Sequence, residues 1–190
     1  MDAWASADKI ASAVAAGRTS AAAVVEAALE RIAARDKALN AFTAITRERA
    51  RAKARAVDRA LAEGKPAGPL AGVPFAVKNL FDVAGLPTLA GSKINRDRPS
   101  ATRDATLIQR LEASGAVLVG ALNMGEYAYD FTGENVHDGP SRNPHDIAHM
   151  TGDSSGGSVR RSPAAWCRSH WAPTPTARSV CRPRCAACSG

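Results

Sequence analysis

The chain has 190 residues, 45% of them hydrophobic and 23% charged, enough for one globular domain with a real core and too few for two comfortable ones. No run of eighteen apolar residues occurs, which excludes a membrane-spanning helix. Met1-Asp2-Ala3-Trp4 lacks the basic-then-apolar pattern of a secretory signal, so a cytoplasmic protein is expected. The formal net charge of +7 is unevenly spread: residues 1–158 hold 19 Lys+Arg against 18 Asp+Glu, whereas residues 159–190 hold six Arg, no Lys and no acid. A near-neutral body argues against a nucleic-acid or membrane surface there and leaves the basic tail to be explained separately.

In chain order, residues 5–17 and 20–48 read as helices. Ile10 and Val14 give the first an apolar face, with Gly17 as its C-cap. Thr19-Ser20 caps the second, in which Val24, Val25, Ala28, Leu29, Ile32 and Leu39 recur at helical spacing. A third, highly charged helix over roughly 46–63 reads as a solvated face rather than a binding patch. From Gly64 to Gly72 the chain is a loop, and residues 73–78 read as a short buried strand ending in Lys78. An amphipathic helix over 104–113 precedes an apolar strand over 116–120, and strand, helix, strand argues for an α/β layer architecture. Residues 132–158 are loop-like, and so long a loop inside a domain points to function.

Two features carry chemistry. Lys78 ends the apolar run Gly-Val-Pro-Phe-Ala-Val-Lys, where burial would favour the neutral amine and let it act as a base. The alternative is a strand-end lysine that reaches out to water. The second feature is Thr151-Gly-Asp-Ser154-Ser155-Gly156-Gly157-Ser158, in which a serine pair set among glycines can bring hydroxyls and amides close to a ligand. Its alternative is a flexible linker. His137, His145 and His149 read as loop hydrogen-bonders rather than metal ligands.

Together these residues resemble the amidase signature family over essentially all of residues 5–158. The likeness runs through Leu39-Asn40-Ala41-Phe42, the segment from Gly68 to Lys78 and on to Asp82, Gly85 to Gly91, Gly120 to Glu126, and the Ser/Gly loop. The stretch from Asn123 to His137, followed by Gly139-Pro-Ser-Arg-Asn-Pro144, most resembles the biuret- and carboxybiuret-type amidohydrolases of that family. The resemblance implies an α/β fold, a mixed sheet flanked by helices, of which residues 1–158 form an incomplete N-terminal portion. Residues 1–63 would be a helical region and residues 64–158 a partial α/β domain.

The resemblance further implies an amide hydrolase of small amide or urea-type substrates, built on a Ser–cis-Ser–Lys triad with no cofactor and no metal. Lys78 matches the base and Ser154 the bridging serine on a cis bond, with Ser155, Gly156 and Gly157 supporting the loop. The nucleophile would lie 24 residues beyond Ser154 in a segment resembling D-T-N-G-S-I-R-V-P, attacking the amide carbonyl to give an acyl-enzyme. Position 178 is Arg178, with Ser179 beside it outside any such motif. As written, the chain therefore lacks its nucleophile and is expected to be inactive. The amidase component of a tRNA-dependent amidotransferase shares Lys78 and Ser154 and is the alternative within the class. The implied partner is a small amide, with no nucleic acid and no membrane, and the likeness leaves self-association or a partner subunit open for the intact protein.

The tail, read alone, offers Cys181, Cys185 and Cys188 with Cys167 and His170 upstream as a zinc site, and its arginines as a nucleic-acid-binding element. A frameshift explains more. Codons can be chosen for Ser158 onward so that one restored G after the first codon makes the same bases read S-G-A-A-V-A-G-G-V-V-P-L-A-L-G-S-D-T-N-G-S-I-R-V-P, with the nucleophilic serine falling at position 178. In a shifted frame only about one base per codon is free, so a continuous match of that length is not a chance event. Residues 159–190 are on this reading an out-of-frame, non-native tail. Two departures remain: Asp153 stands where the family has Gly, and Asp138 where the nearest relatives carry an aromatic residue.

Overall fold

The computed structural model describes residues 5–152, 154–158 and 169–171. The tail's four cysteines, Arg178 and Asp153 lie outside the described residues, so the zinc reading and the effect of Asp153 are not addressed by the fold. Among the described residues, four helices, α1 (Ala7–Ala15), α2 (Ala21–Leu39), α3 (Arg47–Ala62) and α4 (Thr106–Ala113), accompany four strands, β1 (Phe42–Ile45), β2 (Pro74–Lys78), β3 (Val117–Leu122) and β4 (Ser169–Trp171). The strands form one mixed sheet in the order β1-β3-β2-β4. β3 and β4 run parallel to β2, whereas β1 is antiparallel to β3.

The sequence predicts one helix over 20–48, and the structure corrects this. The helix begins as expected, with the Ser20 hydroxyl accepting from the Ala23 amide at 3.0 Å. It stops at Leu39, where Asn40 adopts a left-handed cap at φ 50°. The Asp36 carboxylate then accepts from the Ala41 and Phe42 amides, turning the chain into β1. Burial pushes the Asp36 carboxyl up, in spite of these two amides. β1 pairs Phe42 with Leu122 and Ile45 with Gly120, so the N-terminal helical stretch also contributes an antiparallel strand to the sheet.

Alternation along the two central strands explains the layers. Ala76, Val117 and Val119 face a core built with α1, α2 and α3, including Val25, Leu29, Ile32 and Ala54. Phe75, Val77 and Leu118 face the other way, onto Ile108 of α4 and Val83. Every residue of β2 and β3 is buried, as expected of a sheet covered on both sides. Each large side chain so removed from water contributes about 1.5–3 kcal/mol. β2, α4 and β3 make the parallel crossover, and this brings the carboxyl ends of β2 and β3 side by side.

The charges of α3 do more than meet solvent. Arg49 donates to Asp104 at 2.8 and 2.6 Å and to Glu112 at 3.3 and 2.9 Å, joining α3 to the start and end of α4. Arg51 pairs with Glu26 of α2 at 2.6 Å. Asp58, further along α3, accepts from the Ala21 and Ala22 amides and so caps α2 from a neighbouring helix. Among the described residues no helix is long and apolar enough to cross a membrane.

Candidate active site

Lys78 is the last residue of β2, and its side chain is 0% exposed. It does not reach out to water as a strand-end lysine could. Its Nζ donates to the Ser154 Oγ at 3.4 Å, which joins two positions 76 residues apart in sequence. Ser154, Ser155, Gly156, Gly157 and Ser158 are all buried, an environment that a free linker does not have. The loop is thus a packed element, lying against the carboxyl ends of β2 and β3.

Three backbone contacts hold it. The Gly125 amide donates to the Ser154 carbonyl at 3.1 Å, the Gly157 amide to the Asn123 carbonyl at 2.9 Å, and the Ser158 amide to the Ser155 carbonyl at 2.7 Å, closing a short 3-10 turn. Proximity leaves no room for a side chain at Gly157 and little at Gly156. A Cβ on Gly157 would lie 2.7–2.8 Å from the Asn123 backbone and would also strike the Ala41 carbonyl. A Cβ on Gly156 would come within 3.1 Å of the Gly133 carbonyl. Among the described residues the buried hydroxyls of Thr151, Ser155 and Ser158 have no hydrogen-bond partner. No peptide bond between described residues is cis, while the bond entering Ser154 involves Asp153, which lies outside them.

Around this pair stands a set of buried asparagines that reading the sequence for nucleophiles and bases did not single out. Asn79 and Asn123 directly follow β2 and β3. The side-chain oxygen of Asn79 accepts from the Gly91 amide, and its nitrogen reaches the Thr43 hydroxyl at 3.3 Å. Asn123 donates to the carbonyls of Asn40 and Gly139 and accepts from Met124. Asn135 donates to the carbonyls of Gly91 and Met124, both at 2.7 Å, and accepts from the amides of His137 and Asp138. Each therefore replaces backbone pairing where strands end and loops begin. A polar amide immediately after a buried apolar strand is the signal in the sequence that could have found the first two.

The rings of His137 and His149 bond within loops, and His145 bonds there through its backbone amide. His137 Nε2 lies 3.0 Å from Glu126 Oε1, the His145 amide donates to Asn143, and His149 Nδ1 lies 2.9 Å from Asp146. Asp138 pairs with Arg96, and its carbonyl accepts from Asn40. The Ser92 hydroxyl donates to Glu126 at 2.6 Å. That bond first, and His137 second, hold the Glu126 carboxyl below the usual carboxylate range.

Known proteins share this arrangement of chain. A family model described as amidase matches residues 23–159. The chain is 61% identical over 145 residues to AtzE, a 1-carboxybiuret hydrolase subunit of Pseudomonas sp. (strain ADP), covering 76% of this chain and 32% of that protein. It is 48% identical over 146 residues to a glutamyl-tRNA(Gln) amidotransferase subunit of Anaeromyxobacter sp. (strain K), covering 77% of this chain and 30% of that one. Among solved structures, a chain of a vestigial protein complex that reveals the evolutionary origins of an s-triazine catabolic enzyme aligns at TM-score 0.84 and 55% identity, over 86% of this chain and 36% of that one. A bacterial aryl acylamidase of the amidase signature enzymes aligns at TM-score 0.77 and 35% identity, over 82% and 32%. The chain spans about a third of the length of the curated relatives it matches.

Proposed function

The chain belongs to the amidase signature family, and we propose that residues 64–158 carry the base and the bridging serine of an amide hydrolase acting on a small amide or urea-type substrate. The observation that carries the reading is the buried contact of Lys78 Nζ with Ser154 Oγ at 3.4 Å. In this scheme neutral Lys78 takes the Ser154 proton while Ser154 takes that of the nucleophile, so two protons shift, one along each hydrogen bond, as the nucleophile attacks the amide carbon. Collapse of the tetrahedral intermediate returns the proton to the departing amine and leaves an acyl-enzyme, which water hydrolyses. Ser155, Gly156 and Gly157 hold Ser154 in place by the packing already described. The reading carries with it a cytoplasmic setting and a small-molecule partner.

The nucleophile would be supplied by the neighbouring reading frame. The restored reading places Leu-Ala-Leu at residues 169–171, the residues whose backbone forms β4 parallel to β2. That register supports a family strand at this place, with the serine of the restored reading at position 178 in the sequence beyond it. As written, with Arg178 there, the chain hydrolyses no amide. The carboxybiuret-type reading is preferred over the amidotransferase reading because identity is 61% to the former relative and 48% to the latter.

Two experiments test this. Resequencing the gene from codon 150 to about 200 codons past the stop should show the D-T-N-G-S-I-R-V-P motif in an adjacent frame, and its absence there refutes the frameshift. Purified 190-residue protein should release no ammonia from biuret-type amides, and Lys78-dependent hydrolysis by that chain would overturn the assignment of the missing nucleophile.

A further inference from the structure

Besides Asn40, three non-glycine residues among those described sit in the left-handed region: Ala90 at φ 48°, Tyr127 at φ 48° and Ala128 at φ 59°. Such conformations are strained and persist only where their surroundings impose them. The three are not scattered. The Tyr127 amide donates to the Ala90 carbonyl at 2.8 Å, and the Ala128 amide to the Gly125 carbonyl at 3.0 Å. The strained turn therefore begins at Gly125, whose own amide holds the Ser154 carbonyl at 3.1 Å.

The residue between Gly125 and Tyr127 is Glu126, and its Oε1 accepts from two directions. Ser92, 1% exposed, donates to it at 2.6 Å, and His137 Nε2 lies 3.0 Å away. Ser92 belongs to the segment that contains Ala90, and His137 to the segment pinned by Asn135. One carboxylate oxygen thus ties both flanking segments to the strained turn. We infer that Glu126 is a positioning residue for Ser154: through Ser92 and His137 it fixes the turn from Gly125 to Ala128, and that turn, by its bond to the Ser154 carbonyl, holds the residue whose Oγ meets Lys78. This inference rests on the reading of Ser154 and Lys78 as the reacting pair, but its test does not depend on catalysis.

The test is amide hydrogen exchange on the 190-residue chain, resolved at Gly125, Gly157, Val77 and Val119. Glu126→Ala should speed exchange at Gly125 and Gly157 by at least tenfold and leave Val77 and Val119 within about twofold. Glu126→Gln keeps an acceptor for Ser92 and should restore most of the protection, whereas Glu126→Met, which keeps the bulk without an acceptor, should not. His137→Gln, at a partly exposed position, should give a smaller increase confined to the same amides. The inference is overturned if Glu126→Ala leaves Gly125 within twofold of the parent, if all four amides speed up together, or if Glu126→Gln behaves as Glu126→Ala does. Should Glu126→Ala fail to fold, a Gly125 rate left unchanged in His137→Gln contradicts it equally. The wider reading fails separately, through a hydrolysis assay in which Lys78 proves dispensable.

Discussion

The amide of Gly157 donates to the carbonyl of Asn123 at 2.9 Å, so that the serine loop is bonded directly to the residue that follows β3. No side chain fits between them. Gly157→Ala would drive a Cβ into the backbone of Asn123 and Ala41. It should cost about 1–3 kcal/mol, with the damage greatest in residues 154–158. Chemical denaturation combined with site-resolved exchange checks this, and a variant as stable as the parent with an equally protected loop would refute the packing account.

Asn123 itself is the second test. Its side chain spans the Asn40 and Gly139 carbonyls and the Met124 amide, and the residue is 1% exposed. Asn123→Ala leaves these buried backbone groups short of partners, at about 1–3 kcal/mol for each group left dry. Asn123→Asp should fare little better, because a carboxylate cannot donate to the two carbonyls. Equal melting temperatures for parent and both variants would contradict the role given to the side chain.

How much of this was legible beforehand differs from residue to residue. Lys78 and the serine pair stood out in the sequence, but the residues alone left a water-reaching lysine and a flexible linker open; the roles came from the family resemblance, and the burial of both positions closes those two alternatives. The helices α1, α3 and α4 and the strands β2 and β3 followed from periodicity, within a residue or two at their ends. β1 was missed, since Phe42-Thr-Ala-Ile continues a helical apolar pattern past Leu39. What stops the helix there is the left-handed Asn40 and the Asp36 carboxylate turned onto Ala41 and Phe42. Neither event has a periodicity. The asparagine set was equally hidden, because each member acts on backbone groups brought near only by the fold.

Arg49 provides a test by pH and by mutation. It is partly buried between Asp104 and Glu112, and its guanidinium, hydrogen-bonded first to Asp104, holds that carboxyl below the usual range. A depressed carboxyl contributes stability above its unfolded pKa, near about 4, and that contribution is lost as pH falls through the lower folded value. Arg49→Met should remove about 1–2 kcal/mol at neutral pH and flatten the acid limb of the stability curve below about pH 4. An acid limb unchanged in Arg49→Met would show that the pair carries no such linkage.

Asp58 caps α2 from α3 through the amides of Ala21 and Ala22. Asp58→Ala leaves those N-terminal amides unpaired and should cost about 0.5–2 kcal/mol, measurable as a lower thermal midpoint. Ser20→Ala removes the neighbouring bond to Ala23 and should cost about 0.5–1 kcal/mol. If the two losses add independently, the caps act on separate amides, as the geometry requires.

The most direct measurement inserts a single G after codon 158, expresses the extended frame, and assays ammonia release from a biuret-type amide beside the same gene carrying Lys78→Ala and Ser154→Ala. The account predicts hydrolysis in the restored protein, none from the 190-residue chain, and a loss of at least about a thousandfold in each substituted version. A restored protein that folds but hydrolyses nothing, or one whose activity survives Lys78→Ala, would contradict it.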